Sequence, residues 1–149
     1  NAGIDTSNVE QLESGGNDEM RRQVLLLPKD PDASCEALRG ALHKTTGAKI
    51  AVIINDSVGR AWRNGTVGMA IGTAGIEALL DLNGRPDLFE RPLQATQVGI
   101  ADELAAAASI VMGQADEARP IVHIRGYKPQ KGEGTAKDLI RNQEQDLFR

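Results

Sequence analysis

Two short segments of the sequence contain side chains that bind divalent cations. Residues 5–8 read DTSN and combine a carboxylate, two hydroxyls and an amide. Residues 55–60 read NDSVGR and place an aspartate and a serine directly after an apolar run. Oxygen ligands of these kinds suit Mg²⁺ or Mn²⁺ and the phosphates that accompany them. Each segment also has an ordinary interpretation, as an Asx turn at 5–8 and as a strand end turning into a surface loop at 55–60.

Three further features could contact a nucleotide or another anion. Arg60 and Arg63 offer forked donors for phosphate or carboxylate, although solvated surface arginines are an equal alternative. The glycine-rich residues 72–75 (GTAG) lack the Gly-Lys-Ser/Thr of a Walker A loop, so a structural turn is favoured. Gln114 follows a predicted helix and could ligate a cation or touch a nucleotide, whereas Gly113 alone indicates a plain C-cap.

Histidine and cysteine give little support to covalent chemistry. His43 falls on a predicted helix and His123 within a predicted strand, where a structural role is favoured. Neither belongs to a Ser-His-Asp or Cys-His arrangement. Cys35 is the single cysteine, which excludes an intrachain disulfide and a CxxC zinc site and is typical of a reducing cytoplasm.

Composition predicts a soluble globular domain and disfavours other classes. The chain has 149 residues, 40% of them hydrophobic, and a net charge of −4, so we expect a single domain over 1–149. The acidic balance and the 3% aromatic content argue against nucleic-acid partners. No apolar run is long enough for a membrane helix and no signal peptide opens the chain, so we expect no membrane association and a cytoplasmic location. Because the chain does not begin with Met, we also expect a missing N-terminal portion.

The elements that must position these side chains form an α+β pattern. Hydrophobic patterning and cap residues predict helices near 33–47 and 101–112, and a short final helix from Thr135 to about 142. Apolar runs predict strands at 23–28, 49–55, 67–71, 93–99 and 120–124, while 76–82 is ambiguous and 9–22 is a loop. Since strands and helices do not alternate strictly and Asn83-Gly84 favours a hairpin, we predict a mixed, largely antiparallel sheet with flanking helices.

Taken in order, six segments of the chain resemble a known family. The resemblance is to the coenzyme F420-0:L-glutamate ligase family, the gamma-glutamyl ligases of the deazaflavin coenzyme, and it runs over nearly the whole chain. Each motif is modest by itself, but the ordered set is highly specific. The segments are NAGIDTSN, LLLPKDPDAS, AVIINDSVGRAWRNG, AIGTAGIEALLDLNGRPD, IADELAAAASIVMGQAD and PIVHIRG.

The resemblance implies an activity and a set of partners. Such an enzyme uses GTP to join L-glutamate to coenzyme F420-0 and then adds further glutamates through γ-linkages. It needs Mg²⁺ or Mn²⁺, is helped by K⁺, works as a homodimer and activates the acceptor carboxylate as an acyl phosphate. The chain would be the C-terminal portion of a larger gamma-glutamyl ligase-like domain, since family members carry roughly another hundred residues before this point.

The resemblance also implies site residues. Asp5 and Asp56 match the metal-binding aspartates on which catalysis depends, with Ser57 in the place of a usual threonine and Gln114 as a further metal ligand. The nucleotide contacts fall on Asn8, Met112, Gly113 and Gln114. The chain departs from the family pattern at Ala61, where proline is frequent, and at Gly68, where a polar side chain is common, so that a substrate contact is expected to be weaker.

Two other functions fit the same sequence. The chain could ligate an amino acid to a different carboxylate, because a fold and a family do not fix the substrate. It could also be a non-catalytic dimerisation fragment, in which apolar residues of the predicted helix at 101–112 face a partner chain.

Overall fold

The computed structural model describes the backbone of residues 4–5, and residues 24–130 and 132–146 in full. The chain divides into two compact units, Asn1–Asp30 and Pro31–Arg149. In the described part of the chain, no helix is both long and apolar enough to cross a membrane.

The first unit contains a two-stranded antiparallel sheet. Strand β1 (Ile4–Asp5) pairs with β2 (Leu25–Leu26), so that Asp5 lies opposite Leu25. The strand predicted at 23–28 is therefore confirmed at its centre, whereas the strand at Asp5 had no signal in the sequence. The predicted loop at 9–22 lies outside the described residues.

The second unit carries the remaining elements, and every strand pair in its described residues is antiparallel. Strand β3 pairs with β4, and β5 pairs with β6. The α+β class is confirmed, but the parallel pairs that a mixed sheet requires are absent from these residues. The elements are α1 (Pro31–Thr46), β3 (Val52–Arg60), β4 (Arg63–Ala74), β5 (Leu80–Asp81), β6 (Gln97–Val98), α2 (Ile100–Met112) and the 3-10 helices Ala136–Leu139 and Gln143–Gln145.

The β3–β4 hairpin is longer than the apolar runs predicted. Asp56, expected just beyond the end of a strand, lies inside β3 opposite Met69, and Ser57 lies opposite Gly68. Backbone pairing does not depend on side-chain polarity, so the ladder continues through polar residues that hydropathy interprets as a loop. The register shifts between Ile54 and Asn55, as at a β-bulge.

Helix α1 is positioned by its first turn. Proline is well suited to the first helical position, and the helix begins at Pro31. One oxygen of the next residue, Asp32 Oδ1, accepts hydrogen bonds from the N–H groups of Thr73 and Ala136, both at 2.9 Å. This carboxylate thereby joins the start of α1 to the end of β4 and to the 3-10 helix. The buried residue of α1 is Cys35, whereas Leu38 is half exposed.

The apolar core lies where β5, β6 and the start of α2 meet. Ile76, Leu80 and Ile100 form a buried cluster, against which partly buried side chains of β3, β6 and α2 pack. Ala101 and Ala105 are buried as well, and small side chains allow α2 to approach β4 closely. The helix predicted at 101–112 is confirmed to within one residue.

One predicted strand is wrong in this unit, and a predicted hairpin is only partly formed. Residues 120–124 form no strand, because no described strand pairs with them, and Ile121 is 86% exposed. His123 is therefore exposed and not held within a strand. Asn83-Gly84 does form a turn, with Gly84 at φ +77°. The strands on either side of this turn are short, since only β5 and β6, of two residues each, pair with one another. At the C-terminal end, the capping box at Thr135 confirms the start of the final helix.

Candidate functional site

Two of the segments selected from the sequence meet at the end of α2. Ser57 Oγ donates a hydrogen bond to Gln114 Oε1 at 2.8 Å, although the residues are 57 positions apart. The Ser57 N–H donates to Asp56 Oδ1, also at 2.8 Å. The Ser57 hydroxyl and the Gln114 amide oxygen therefore lie together where the middle of β3 passes the C-terminus of α2, and the Asp56 carboxylate contacts the backbone N–H of Ser57.

The end of α2 places the Gln114 side chain. Gly113 adopts φ +78°, a conformation that glycine reaches without strain, and its N–H donates to Ser109 O at 3.1 Å. The predicted glycine cap is thus confirmed. Gln114 Nε2 is 3.4 Å from Ser109 Oγ, to which it donates. The Gln114 amide accordingly spans two hydroxyls, that of Ser57 on β3 and that of Ser109 on α2.

Asn55 attaches β3 to α2 beside this cluster. Its Nδ2 donates to Ala105 O at 3.1 Å and contacts Met112 Sδ at 3.5 Å. Its Oδ1 is buried and has no hydrogen-bond partner among the described residues. Asn55 belongs to the segment 55–60 selected from the sequence but was given no role of its own, and Ser109 was not selected; nothing in their spacing distinguishes them from other polar residues near an element end.

Gly68 allows α2 to lie directly on β4. A Cβ at this position would be 2.6 Å from Ser109 Oγ and 2.7 Å from both Ala105 O and Asn55 Oδ1. No side chain fits such a space, so glycine at position 68 has a packing reason. The prediction of a weakened substrate contact at Gly68 is untested by this geometry.

The donor set fits a hard divalent cation. Asp56, Ser57 and Gln114 offer only oxygen, and the 2.8 Å between Ser57 Oγ and Gln114 Oε1 is close to the separation of neighbouring octahedral ligands, about 3.0 Å. Within 24–130 and 132–146, Asp56 forms no ion pair and no three His, Cys, Asp or Glu side chains cluster as a metal site. The side chain of Asp5, the other predicted metal-binding aspartate, lies outside the described residues.

The predicted arginines lie away from this cluster. Arg60 and Arg63 face each other at the closed end of the hairpin, and Arg60 Nη2 donates to Asn64 O at 3.4 Å. Arg60 is four residues beyond Asp56, which is about 13 Å along a strand. Between the arginines, Trp62 is 86% exposed and has φ +56°, unusual for a bulky side chain. The structure therefore does not bring these arginines to Asp56.

An open cavity of about 460 Å³ follows α2 and is lined by residues from Met112 to Pro120. Within it the Glu117 carboxylate accepts the Ala115 N–H at 2.9 Å. Hydrogen bonds from the N–H groups of Ala115, of Glu117 itself and of Gln114 hold the pKa of Glu117 below its ordinary value. The backbone donors of this segment are thus occupied by an internal carboxylate, and the predicted nucleotide role of Met112 and Gly113 stays a prediction.

Comparison with known proteins identifies the family. A family model described as F420-0:Gamma-glutamyl ligase matches residues 1–126. The chain belongs to this family. The proteins named coenzyme F420:L-glutamate ligase from Methanocaldococcus jannaschii and Methanothermobacter thermautotrophicus are each 48% identical to it, over 149 and 151 residues. That from Archaeoglobus fulgidus is 42% identical over 149 residues. All of this chain is covered, but only 55%, 56% and 55% of the relatives, so it spans about half their length.

The glycine-rich residues 72–75 have a structural role. The Thr73 N–H donates to the Asp32 carboxylate, and a Cβ at Gly72 would be 2.5 Å from Pro31. The anion bound by this segment is therefore an internal carboxylate. The predicted turn is wrong for residues 72–74, which lie in strand β4, and only Gly75, at φ +75°, follows the strand.

The remaining predicted residues lie away from this cluster or outside the described residues. His43 lies on α1 as predicted, and its Nδ1 is 3.1 Å from Ala48 O. Asn8, predicted to contact the nucleotide, lies outside the described residues. No histidine in the described part of the chain lies at the cluster of Asp56, Ser57 and Gln114, which consists of oxygen donors alone.

Proposed function

We propose that this chain supplies the divalent-cation site of a GTP-dependent ligase that joins L-glutamate to coenzyme F420-0 and then adds γ-linked glutamates. Membership of the F420-0:Gamma-glutamyl ligase family supports the reaction class, and the relatives' names supply the coenzyme and the amino acid. The observation that carries the proposal is the contact of Ser57 with Gln114 beside Asp56. It brings together predicted metal ligands that are distant in the sequence.

Asp56, Ser57 and Gln114 would hold Mg²⁺ or Mn²⁺, and K⁺ would assist. Asp5 is proposed as a metal ligand on the resemblance of its motif alone. When bound, the divalent cation neutralises phosphate charge during phosphoryl transfer. The chain's own residues then position the reactants. The proposed nucleotide contacts are Asn8, Met112, Gly113, Gln114 and the guanidinium groups of Arg60 and Arg63.

The proposed reaction has two steps. An oxygen of the acceptor carboxylate attacks the γ-phosphorus of GTP, the bond to the β-phosphate oxygen breaks, and GDP leaves with the electron pair. The glutamate nitrogen then attacks the acyl carbon of the resulting acyl phosphate, inorganic phosphate leaves, and the nitrogen loses a proton as the amide forms. Such chemistry depends mainly on positioning and charge neutralisation, which an oxygen-lined site provides.

Calorimetric titration of GTP into the chain, with and without Mn²⁺, tests the nucleotide part of the proposal. We expect binding only with Mn²⁺ and a dissociation constant in the micromolar range, about −8 kcal/mol. Direct Mn²⁺ binding, followed by the electron paramagnetic resonance signal of the free ion, tests the metal part. Asp56→Asn should weaken Mn²⁺ binding more than about tenfold, because the carboxylate charge is lost.

Glu103→Gln is the matched control, since Glu103 is an exposed carboxylate on α2 that does not contact the cluster. Its Mn²⁺ affinity should equal that of the parent. The proposal fails if the parent binds no Mn²⁺, or if Asp56→Asn and Glu103→Gln change the affinity equally.

A second candidate function, dimerisation through α2, also has an observation in its favour. Ile110 is 85% exposed and Val111 is 50% exposed near the end of this helix. Apolar side chains that are exposed in one chain are candidates for burial against a second copy. Sedimentation equilibrium should then show a dimer that Ile110→Ser weakens, whereas Leu38→Ser on α1 leaves it unchanged. A monomer at all concentrations would exclude this function.

A further inference from the structure

The Gln114 amide has two chemically opposite ends, and only one of them suits a cation site. Its oxygen is an acceptor and a metal ligand, whereas its NH₂ group is a donor that repels a cation. The Ser57 hydroxyl either donates or accepts, so the Ser57 contact alone is compatible with both orientations of the amide. Something else must set which end faces Ser57 and Asp56.

The second contact of Gln114 determines which end of its amide faces Ser57. Gln114 Nε2 lies 3.4 Å from Ser109 Oγ, at the opposite end of the amide from Ser57. If the Ser109 hydroxyl directs its lone pairs to Gln114, the nitrogen is held there and the oxygen faces Ser57. The orientation of the amide thus depends on the direction of one hydroxyl proton.

The surroundings of Ser109 set that direction. Ser109 Oγ, Ala105 O and Asn55 Oδ1 all lie within 2.7 Å of one point, the place a Cβ would occupy at Gly68. The latter two atoms are acceptors only, and Asn55 Oδ1 is buried without a hydrogen-bond partner among the described residues. Ala105 O already accepts from Asn55 Nδ2, so the hydroxyl proton is attracted toward the partial negative charge of Asn55 Oδ1, which leaves the lone pairs toward Gln114.

We propose that Ser109 is a positioning residue that holds the Gln114 amide with its oxygen facing Ser57 and Asp56. Ser109 does not contact the cation and acts through Gln114, as an outer partner that orients a metal ligand. The effect of Ser109 on cation binding rests on the proposed function. The orientation of the Gln114 amide does not, because it is a property of the chain itself.

A double-mutant cycle on Mn²⁺ affinity tests the role in metal binding. Ser109→Ala should weaken Mn²⁺ binding by about tenfold, the lower end of the usual effect of losing such a partner. In a Gln114→Glu background the same substitution should have no effect, because a carboxylate presents oxygen at both ends. A merely structural role would weaken binding equally in both backgrounds, which would overturn the proposal.

Nuclear magnetic resonance of the metal-free chain tests the orientation independently. In the parent, the Gln114 side-chain NH₂ protons should show nuclear Overhauser effects to the β-protons of Ser109. In Ser109→Ala, effects to the β-protons of Ser57 should appear as the amide turns. Effects to Ser57 in the parent would overturn the inference. If the parent binds no Mn²⁺ while its NH₂ group faces Ser109, the proposed function fails and the orientation stands.

Discussion

The close approach of α2 to β4 at Gly68 gives the sharpest prediction for stability. In Gly68→Ala the new methyl carbon would meet three oxygens at 2.6–2.7 Å, whereas ordinary contacts begin at 3.4 Å. Each contact is therefore short by about 0.7 Å. One of the three atoms is the backbone oxygen of Ala105, which moves only if the helix moves. Relief of the clash thus requires α2 to shift away from β4.

The expected cost follows from this overpacking. Inserting a methyl group into a filled space destabilises by about 1–3 kcal/mol. For a chain of this size each kcal/mol lowers the melting temperature by about 2–4 °C. Thermal unfolding followed by circular dichroism should therefore show a decrease of roughly 2–12 °C. Mn²⁺ affinity should fall as well, since the shift of α2 separates Gln114 from Ser57.

Gly59→Ala is the matched control on the same hairpin. Nothing lies within 4 Å of a Cβ at Gly59, and its φ is not in the left-handed region. This substitution should be neutral or stabilise by up to about 1 kcal/mol through the unfolded chain. If Gly68→Ala is as stable as Gly59→Ala, the packing of α2 described above is wrong.

Three further predictions concern other parts of the second unit. Asp32→Ala should destabilise by about 2–5 kcal/mol in urea unfolding, because two partly buried N–H groups lose their acceptor. The Glu117 carboxyl should titrate below its ordinary value of 4.5, because the Ala115 N–H and then its neighbours favour the charged form. Cys35 should react with a thiol reagent only on unfolding, because it is fully buried and burial raises the pKa of its thiol.

Each of these has a contrasting measurement. Asp32→Asn keeps one acceptor oxygen and should lose less stability than Asp32→Ala; equal losses would contradict the bonding described. Since the pKa of Glu117 is depressed on folding, its stabilisation is present above pH 4.5 and disappears as the pH falls below that value. A carbon-detected titration of Glu117 with a midpoint above pH 4.5 would contradict this direction of the pKa shift. Labelling of Cys35 at the same rate with and without urea would show that the thiol is accessible.

Local signals in the sequence were sufficient for the two long helices. The Ala- and Leu-rich stretch after residue 100 predicts a helix that ends at a glycine, and α2 is Ile100–Met112 with Gly113 as its cap. Helix α1 ends before Gly47 as predicted, but it begins at Pro31, two residues before the predicted start near 33. These signals act within a few residues, so they do not depend on the rest of the fold.

Strand bounds depend on the partner strand and were predicted less well. The ladder from Val52 to Arg60 includes Asp56 because β4 lies alongside it, which no local pattern indicates. Conversely, PIVHI at 120–124 has the composition of a strand but pairs with no described strand. A strand forms only where a second strand pairs with it. Composition alone therefore identifies segments that could form strands, but not which of them do.

The site shows the same division between local and long-range information. The resemblance identified Ser57 and Gln114 separately, and only the fold shows that they touch. Spacing gave Arg60 and Arg63 a place near Asp56, whereas an extended strand carries them away from it. The packing role of Gly68 could not be predicted, because it depends on a helix that begins more than thirty residues later.

The Asp32 carboxylate also has a consequence for the order of folding. Its two N–H partners are 41 and 104 positions later in the chain, so neither bond forms until large loops have closed. Helix α1 can therefore form early, while its attachment to β4 and to the 3-10 helix belongs to the last stage. Bonds made after the rate-limiting step affect unfolding more than folding. We therefore expect the loss of these two bonds to speed unfolding more than it slows folding.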